Sequence, residues 1–413
     1  MPDIVARLEC IESLVTATTL RQLSRIIAAV LAMTGRVTML GISRWAGEGG
    51  SYRTVQRFFY TVVPWATLFW ALFRQHLYRP DDVYIMAGDE VVVSKAGHHT
   101  YGLDRFFAGV FGRVIPGLAF FSLALVNTKE RRASQLRIEQ VVRSEEEKAA
   151  NRAKTVAKQT PKSAEPRKPG RPKGSKNKAA TEITLSPELL RIQAMLEAQL
   201  KLMGKLIPLT YLALDGHFGN RFALHVVQQC KLHLISKLRC DSALYLPYTG
   251  PYKGRGPHRK YGDKLDYQNL PVEYLKQTTV EDQIETRMYH IRCLHREFSQ
   301  PLNVVVILKT HLQTQAYAHV TLFSSDLTLA YDKLVDYYRL RFQIEFNFRD
   351  AKQYWGLEDF MNVSETAVTN AANLSLFMVN FSQGLLRNLH DTDPDCSVLD
   401  LKAHYRGAKY VTE

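Results

Sequence analysis

Four side chains in the C-terminal third follow the spacing Y-x2-R-x3-E-x6-K: Tyr338, Arg341, Glu345 and Lys352. At about 100° per residue, a helix would carry all four within roughly 60° of arc, with Arg349 close beside them. One carboxylate held among cations and a phenol suits an acidic metal ligand flanked by donors for phosphate oxygens. The plainer alternative is an amphipathic helix with paired Glu and Lys on its solvated face.

The surrounding run, YYRLRFQIEFNFRDAKQYWGLEDF, resembles the signature of bacterial insertion-sequence transposases of the DDE type. All four signature residues and their spacings agree. Over roughly residues 83 to 380 the resemblance implies an α/β fold with a mixed sheet: an RNase H-like catalytic core interrupted by a β-rich insertion, behind an N-terminal helical DNA-binding domain. It also implies two aspartates upstream of Glu345. Asp89 in VYIMAGDEVVVSKAG and Asp215 in PLTYLALDGHFGN each stand at or near the end of a short β-branched or aromatic run. A strand there would hold the carboxylate rigidly. Glu90, Asp81, Asp82 and Asp104 crowd the first of these, and a strand-end Asp also serves as a cap or turn residue.

By resemblance, Asp89, Asp215 and Glu345 are catalytic and hold two Mg²⁺ ions, with Mn²⁺ able to substitute. Hard oxygen ligands suit both ions. Tyr338, Arg341 and Lys352 would hold DNA phosphates near the cleaved end. The implied reaction is cleavage at the ends of an inserted element and strand transfer into target duplex, by a homodimer on DNA. A non-catalytic DNA-binding regulator and a metal-dependent nuclease that cuts without joining are the competing readings. Relatives that close a DNA hairpin stack a flipped base on a tryptophan of the insertion. The tryptophans here (Trp45, Trp65, Trp70, Trp355) all lie outside the Asp215–Glu345 interval, leaving Tyr252 or Tyr261 for that task.

Composition points to the same partner. The 413 residues carry a formal charge of +14, which favours a polyanion. Nucleic acid fits better than a membrane, since the longest apolar runs fall short of the ~20 residues a bilayer span requires. MPDIVARLECIES has no apolar leader core, so the expected compartment is the cytoplasm, in association with the nucleoid. Five scattered cysteines without a C-x-x-C pair read as reduced thiols.

Several elements must position these residues. Residues 1–80 read as helices, and MLGISRWAG-EGGS-YRTVQRFFY reads as a helix-turn-helix or a plain helical bundle. Its second helix would expose Arg53, Gln56 and Arg57, side chains able to read base edges, while burying Val55, Phe58 and Phe59. Segments 81–128, 184–239 and 326–390 would form the catalytic core. Residues 240–325 would be the β-rich insertion, and 391–413 a polar tail. Between them, 129–183 reads as a basic flexible insert. Within it, RKPGRPKGSKNK with Arg171 at its centre is either an AT-hook-like minor-groove strand or a solvated basic linker. In the insertion, Arg259 and Lys260 interleave with Tyr252, His258 and Tyr261, either a phosphate-and-base grip or an ordinary polar hairpin. Ser186 should cap a helix over 185–203, and Ser325, Asp326 and Thr328 are cap candidates for one long signature helix.

Overall fold

Leu23, Ile26, Ile27, Val30 and Leu31 recur at three and four and turn one stripe of a helix inward. After α1 (Pro2–Leu8), that helix is α2 (Ala17–Ala32), started by the Thr16 hydroxyl accepting from the Thr19 amide. Then come α3 (Met39–Trp45), α4 (Tyr52–Phe59) and α5 (Trp65–Leu72). The structure, a computed structural model, describes residues 2–159, 183–252, 254, 256–390 and 393–412.

The strands β1 (Tyr84–Ser94), β2 (Asp104–Ala108), β3 (Arg113–Asn127) and β4 (Arg132–Gln140) follow, and α6 (Glu145–Gln159) leads out of them. Beyond the segment 160–182 lie α7 (Pro187–Met203), β5 (Tyr211–Ala213), α8 (Arg221–Gln229) and β6 (His233–Leu238). The Ser186 hydroxyl caps α7 as expected, accepting from the Leu189 amide. Six more strands complete the sheet: β7 (Leu244–Pro247), β8 (Tyr261–Lys264), β9 (Leu275–Glu281), β10 (Ile284–His295), β11 (Leu302–His311) and β12 (Tyr317–Ser324). The chain ends in α9 (Tyr331–Leu340), α10 (Gln343–Tyr354), α11 (Glu365–Leu389) and α12 (Val398–Thr412).

One 12-stranded, mostly antiparallel sheet runs in the order β2-β3-β1-β5-β6-β12-β11-β10-β7-β8, with β4 on β3 and β9 on β10. β1 pairs antiparallel with β3 and parallel with β5, and β5 pairs parallel with β6. Alternation along β1 divides the interior. Ile85, Ala87, Val91 and Val93 face a core shared with the N-terminal helices and α9 to α11. Tyr84 and Met86 face a second core with α7 and α8. Among the described residues, no helix is long and apolar enough to cross a membrane.

Five expectations change. The insert expected from residue 129 opens with an ordered strand, β4, and then α6. The strands of 240–325 continue the sheet, because β12 pairs antiparallel with β6. The region after 391 holds α12, whose Lys402 and Arg406 donate to the Val30 and Ala32 carbonyls at the end of α2. The long signature helix divides into α9 and α10: Phe342, Ile344 and Glu345 donate three residues back, tightening the backbone at Arg341–Phe342. The cap of α9 is Ala330, without a side-chain bond. Asp326 instead accepts from Thr328 and from the Tyr211 hydroxyl.

Candidate active site

Two neighbouring strands carry the aspartates. Asp89 has the parity of Ala87 and Val91 in β1, so it faces the helices that cover that side. The parallel register pairs Met86 with Leu212 and Ala87 with Ala213. Continued by two residues, it brings Asp215 level with Asp89, on strands about 4.8 Å apart. Asp215 has left the ladder by then: its carboxylate caps a short 3-10 turn, accepting from the His217 amide at 3.2 Å, while its carbonyl accepts from Ser236 Oγ at 2.7 Å. The third acid, Glu345, sits in the first turn of α10, which packs across β1.

Arg341 ties these elements together. Its Nη1 donates to Asp89 Oδ2 at 2.6 Å and its Nη2 to Glu345 Oε1 at 2.8 Å, so one guanidinium spans two carboxylates. The guanidinium is largely covered, with 11% of the side chain exposed, against 18% for Asp89 and 36% for Glu345. Burial pushes the Asp89 carboxyl up to about 6; Arg341 opposes that rise, and Glu345 and Asp215 reinforce it as like charges. Burial raises the Tyr338 hydroxyl too, with Arg341 pulling the other way and Asp215 and Asp89 adding to the rise.

The signature residues therefore meet, in unequal ways. Tyr338 lies beside Arg341, its ring centroid 5.9 Å from the guanidinium carbon. Lys352, two turns beyond Glu345, donates to the Val92 carbonyl of β1 at 3.0 Å and pairs with Glu358 at 2.8 Å. Arg349 does not join them: it is exposed, pairs with Asp350 and lies over the Phe346 ring. Arg53 and Arg57 are exposed on α4 and Gln56 is half-buried, while Val55, Phe58 and Phe59 are buried. Arg259 lies over the Tyr248 ring and donates to the Tyr261 carbonyl; Lys260 reaches the Ser299 carbonyl; Tyr252 stacks on His258. None of these enters the carboxylate cluster. Arg171 and its AT-hook-like surroundings lie outside the described residues.

Glu90 reads from sequence only as a neighbour of Asp89, and His217 and Lys95 escape that reading. Glu90 points to the opposite face of β1, and its surroundings include Glu188, Arg143 and His217. His217 pairs with Glu188 at 3.4 Å, just beyond Asp215. The period of two was the available signal for Glu90, since adjacent strand residues face opposite ways. Lys95 anchors the end of β1, donating to the Glu358 and Phe360 carbonyls in the loop after α10. No local pattern announces that pairing.

A hard divalent cation fits this donor set, which is made of carboxylates. In this structure two of the three share the positive charge of Arg341. Among the described residues no group of three His, Cys, Asp or Glu stands close enough to enclose an ion. An ion held by all three acids therefore requires the guanidinium to turn aside.

No curated protein matches the chain. Residues 9–298 match the family described as DDE superfamily endonuclease, a span that takes in Asp89 and Asp215 and ends before α9 and α10. With well over half of its length matched, the chain belongs to the DDE superfamily endonuclease family.

Proposed function

We propose that this endonuclease is a DNA transposase of the insertion-sequence type, cutting at the ends of an element and joining the freed 3′ ends to target duplex. The observation that carries the reading is the pairing of Asp89 and Glu345 through Arg341, with Asp215 on the neighbouring strand near enough to raise the Asp89 carboxyl and Tyr338 beside the guanidinium. The strand order β4-β3-β1-β5-β6, three antiparallel strands followed by two parallel ones, supports an RNase H-like core. DDE endonucleases generally use divalent metal ions. Asp89, Asp215 and Glu345 are the residues to hold two Mg²⁺ or Mn²⁺ ions, which when bound supply Lewis acidity at the phosphodiester.

The chain's own groups have defined tasks in this reading. Arg341 transfers its fork from the carboxylates to phosphate oxygens as DNA arrives, since a planar guanidinium matches either partner. Tyr338 donates its hydroxyl hydrogen to the same phosphate. Lys352, fixed on Val92, keeps α10 in register with β1 and adds positive charge beside the strand. Arg53, Gln56 and Arg57 on α4 would read terminal-repeat duplex in the major groove. Arg259, Lys260 and the basic segment around Arg171 would hold flanking DNA, and Arg349 would meet it further out. Two ends joined in one complex require two copies of the chain.

The test is Mg²⁺-dependent cleavage and joining of duplex carrying the element's terminal repeats, comparing wild type with Glu345→Ala. Cut and joined products that vanish in the variant, with DNA affinity retained, are the expected result. Cutting without joining would reduce the protein to a nuclease. Tight binding with no cutting by wild type would make it a regulator, and equal activity in both proteins would remove Glu345 from the site.

A further inference from the structure

The hairpin of β2 and β3 projects an apolar surface that none of the described residues covers. Phe107 and Val114 are directly paired across it, and both side chains point outward. Val110 and Phe111 form the tip, 90% and 57% exposed. The tip turns through Gly112, whose φ of 59° is left-handed and whose Cβ position is open.

The opposite side of the hairpin is pinned. Phe106 is buried under the Arg143 guanidinium at 4.2 Å, and Arg143 also donates to Asp104 Oδ2 and the Arg105 carbonyl. The ribbon is thus held against the body from within and presents its apolar face outward. The hairpin is also cationic. Arg105 lies on the outward face with Phe107 and Val114, while Arg113, paired with Ala108 on the other face, stands beside the tip; both are exposed, and neither has an acidic partner among the described residues. From Arg105 to Pro116 there is no carboxylate at all.

We propose that this hairpin is a DNA wedge: Phe111 and Val110 press against or between bases, Phe107 and Val114 support them, and Arg105 and Arg113 neutralise the adjoining phosphates. Aromatic side chains with arginine, free of acids, suit a partner that offers π-faces and negative charge together. A second copy of this chain suits it less, because a two-fold contact sets each patch against its equal and brings these arginines together. The position is also apt. Ser122 of β3 pairs with Asp89, and the tip lies roughly 35 Å further along that strand at about 3.3 Å per residue. That is about one turn of duplex. The wedge would thus meet DNA about one turn from the bond being cut, provided the duplex follows β3. The inference rests on duplex DNA being the substrate and needs neither strand transfer nor an assigned metal ligand.

The experiment is equilibrium binding of a fluorescein-labelled mixed-sequence 40-base-pair duplex by the full chain in EDTA, across a salt series. The variants are Phe107→Ala/Phe111→Ala, Val110→Ser and Arg105→Gln/Arg113→Gln. Melting curves check that each is folded, and sedimentation without DNA gives its oligomeric state. The aromatic pair is expected to weaken binding about tenfold with an unchanged salt slope, and Val110→Ser, at the most exposed position, should weaken it in the same sense. The arginine pair should lower the salt slope by about two. Asp89→Asn, read by cleavage in Mg²⁺ alone, tests the catalytic assignment separately, so its failure leaves this binding test readable. Unchanged affinity in the folded aromatic variant overturns the proposal, as does a wild type that does not bind the duplex. A shift in oligomeric state at constant affinity also overturns it and assigns the face to a second copy.

Discussion

Asp89 combines two conditions that disfavour its charge, burial and the nearness of Glu345 and Asp215, and Arg341, helped by the Glu90 amide, works against them. Its carboxyl, raised to about 6, binds a proton more tightly folded than unfolded, where the ordinary value of 3.8 applies. The group's contribution to stability is therefore greatest below pH 4 and is lost as pH rises through about 6. Asp89→Asn removes that loss. In EDTA, the variant should match wild type near pH 4 and exceed it above pH 6 by on the order of 1–3 kcal/mol; denaturant melts at both pH values decide. An advantage that shrinks with rising pH would contradict the assignment. Arg341→Gln should act oppositely. It leaves the largely covered Asp89 and the half-exposed Glu345 without their cation, a loss of about 1–3 kcal/mol at pH 8 in EDTA. If these acids form the cation site, millimolar Mn²⁺ should restore most of the melting temperature of Arg341→Gln and affect wild type less. No recovery with Mn²⁺ would separate the cluster from metal binding.

At the scale of elements, β4 shows why part of the fold stayed hidden. RASQLRIEQ looks like a polar linker, yet Ser134 and Gln135 are buried in the strand. The reason lies 245 residues away: Asn380 of α11 accepts from the Gln135 amide at 2.9 Å and donates to the Gln135 carbonyl at 2.8 Å. A side-chain amide thus completes the backbone of a sheet-edge strand, and no local pattern signals it. Of the two aspartates, Asp215 does stand just past a short apolar strand, as expected, whereas β1 runs on five residues beyond Asp89 to Ser94, so that carboxylate lies in mid-strand and not at a strand end. The division between α9 and α10 was not legible, because nothing among LRFQ breaks a helix by propensity. What shows there is a local tightening, at the residue whose guanidinium spans the carboxylates of β1 and α10. Asn380→Leu keeps the volume and removes both bonds. It should cost about 2–4 kcal/mol by orphaning the Gln135 amide and carbonyl, read by urea denaturation. Faster amide exchange in β4 should accompany it, whereas a loss below about 0.5 kcal/mol would mean that water replaces the amide freely.

Across the whole molecule, the N-terminal helices read as a module of their own from sequence, but their packing joins them to the catalytic body. Phe58, Trp65 and Phe69 share one core with Phe377 and with the β1 residues that flank Asp89. Asn370, buried in α11, accepts from Trp65 Nε1 at 2.7 Å and donates to the Phe59 and Thr61 carbonyls. On the far side of that core, Lys402 of α12 donates to the Val30 carbonyl and lies over the Trp355 ring. Cutting at residue 80 would therefore expose Phe377 and the apolar face of α11 to water, and burial of large side chains of that kind contributes about 1.5–3 kcal/mol each. A chain of residues 81–413 should be insoluble or melt without a cooperative transition, while the full chain should show one calorimetric transition that includes the N-terminal helices. Asn370→Ala should lower that single transition as a unit, since it strands the indole N–H and two carbonyls in the shared core. Two separate transitions, with only the lower one moved by Asn370→Ala, would mean that the helices fold on their own. In that case an α4 bound to DNA would be joined to the carboxylates by a tether. With one transition, α4 and Asp89 belong to one cooperative body, and the distance from bound duplex to cleaved bond is fixed by the fold.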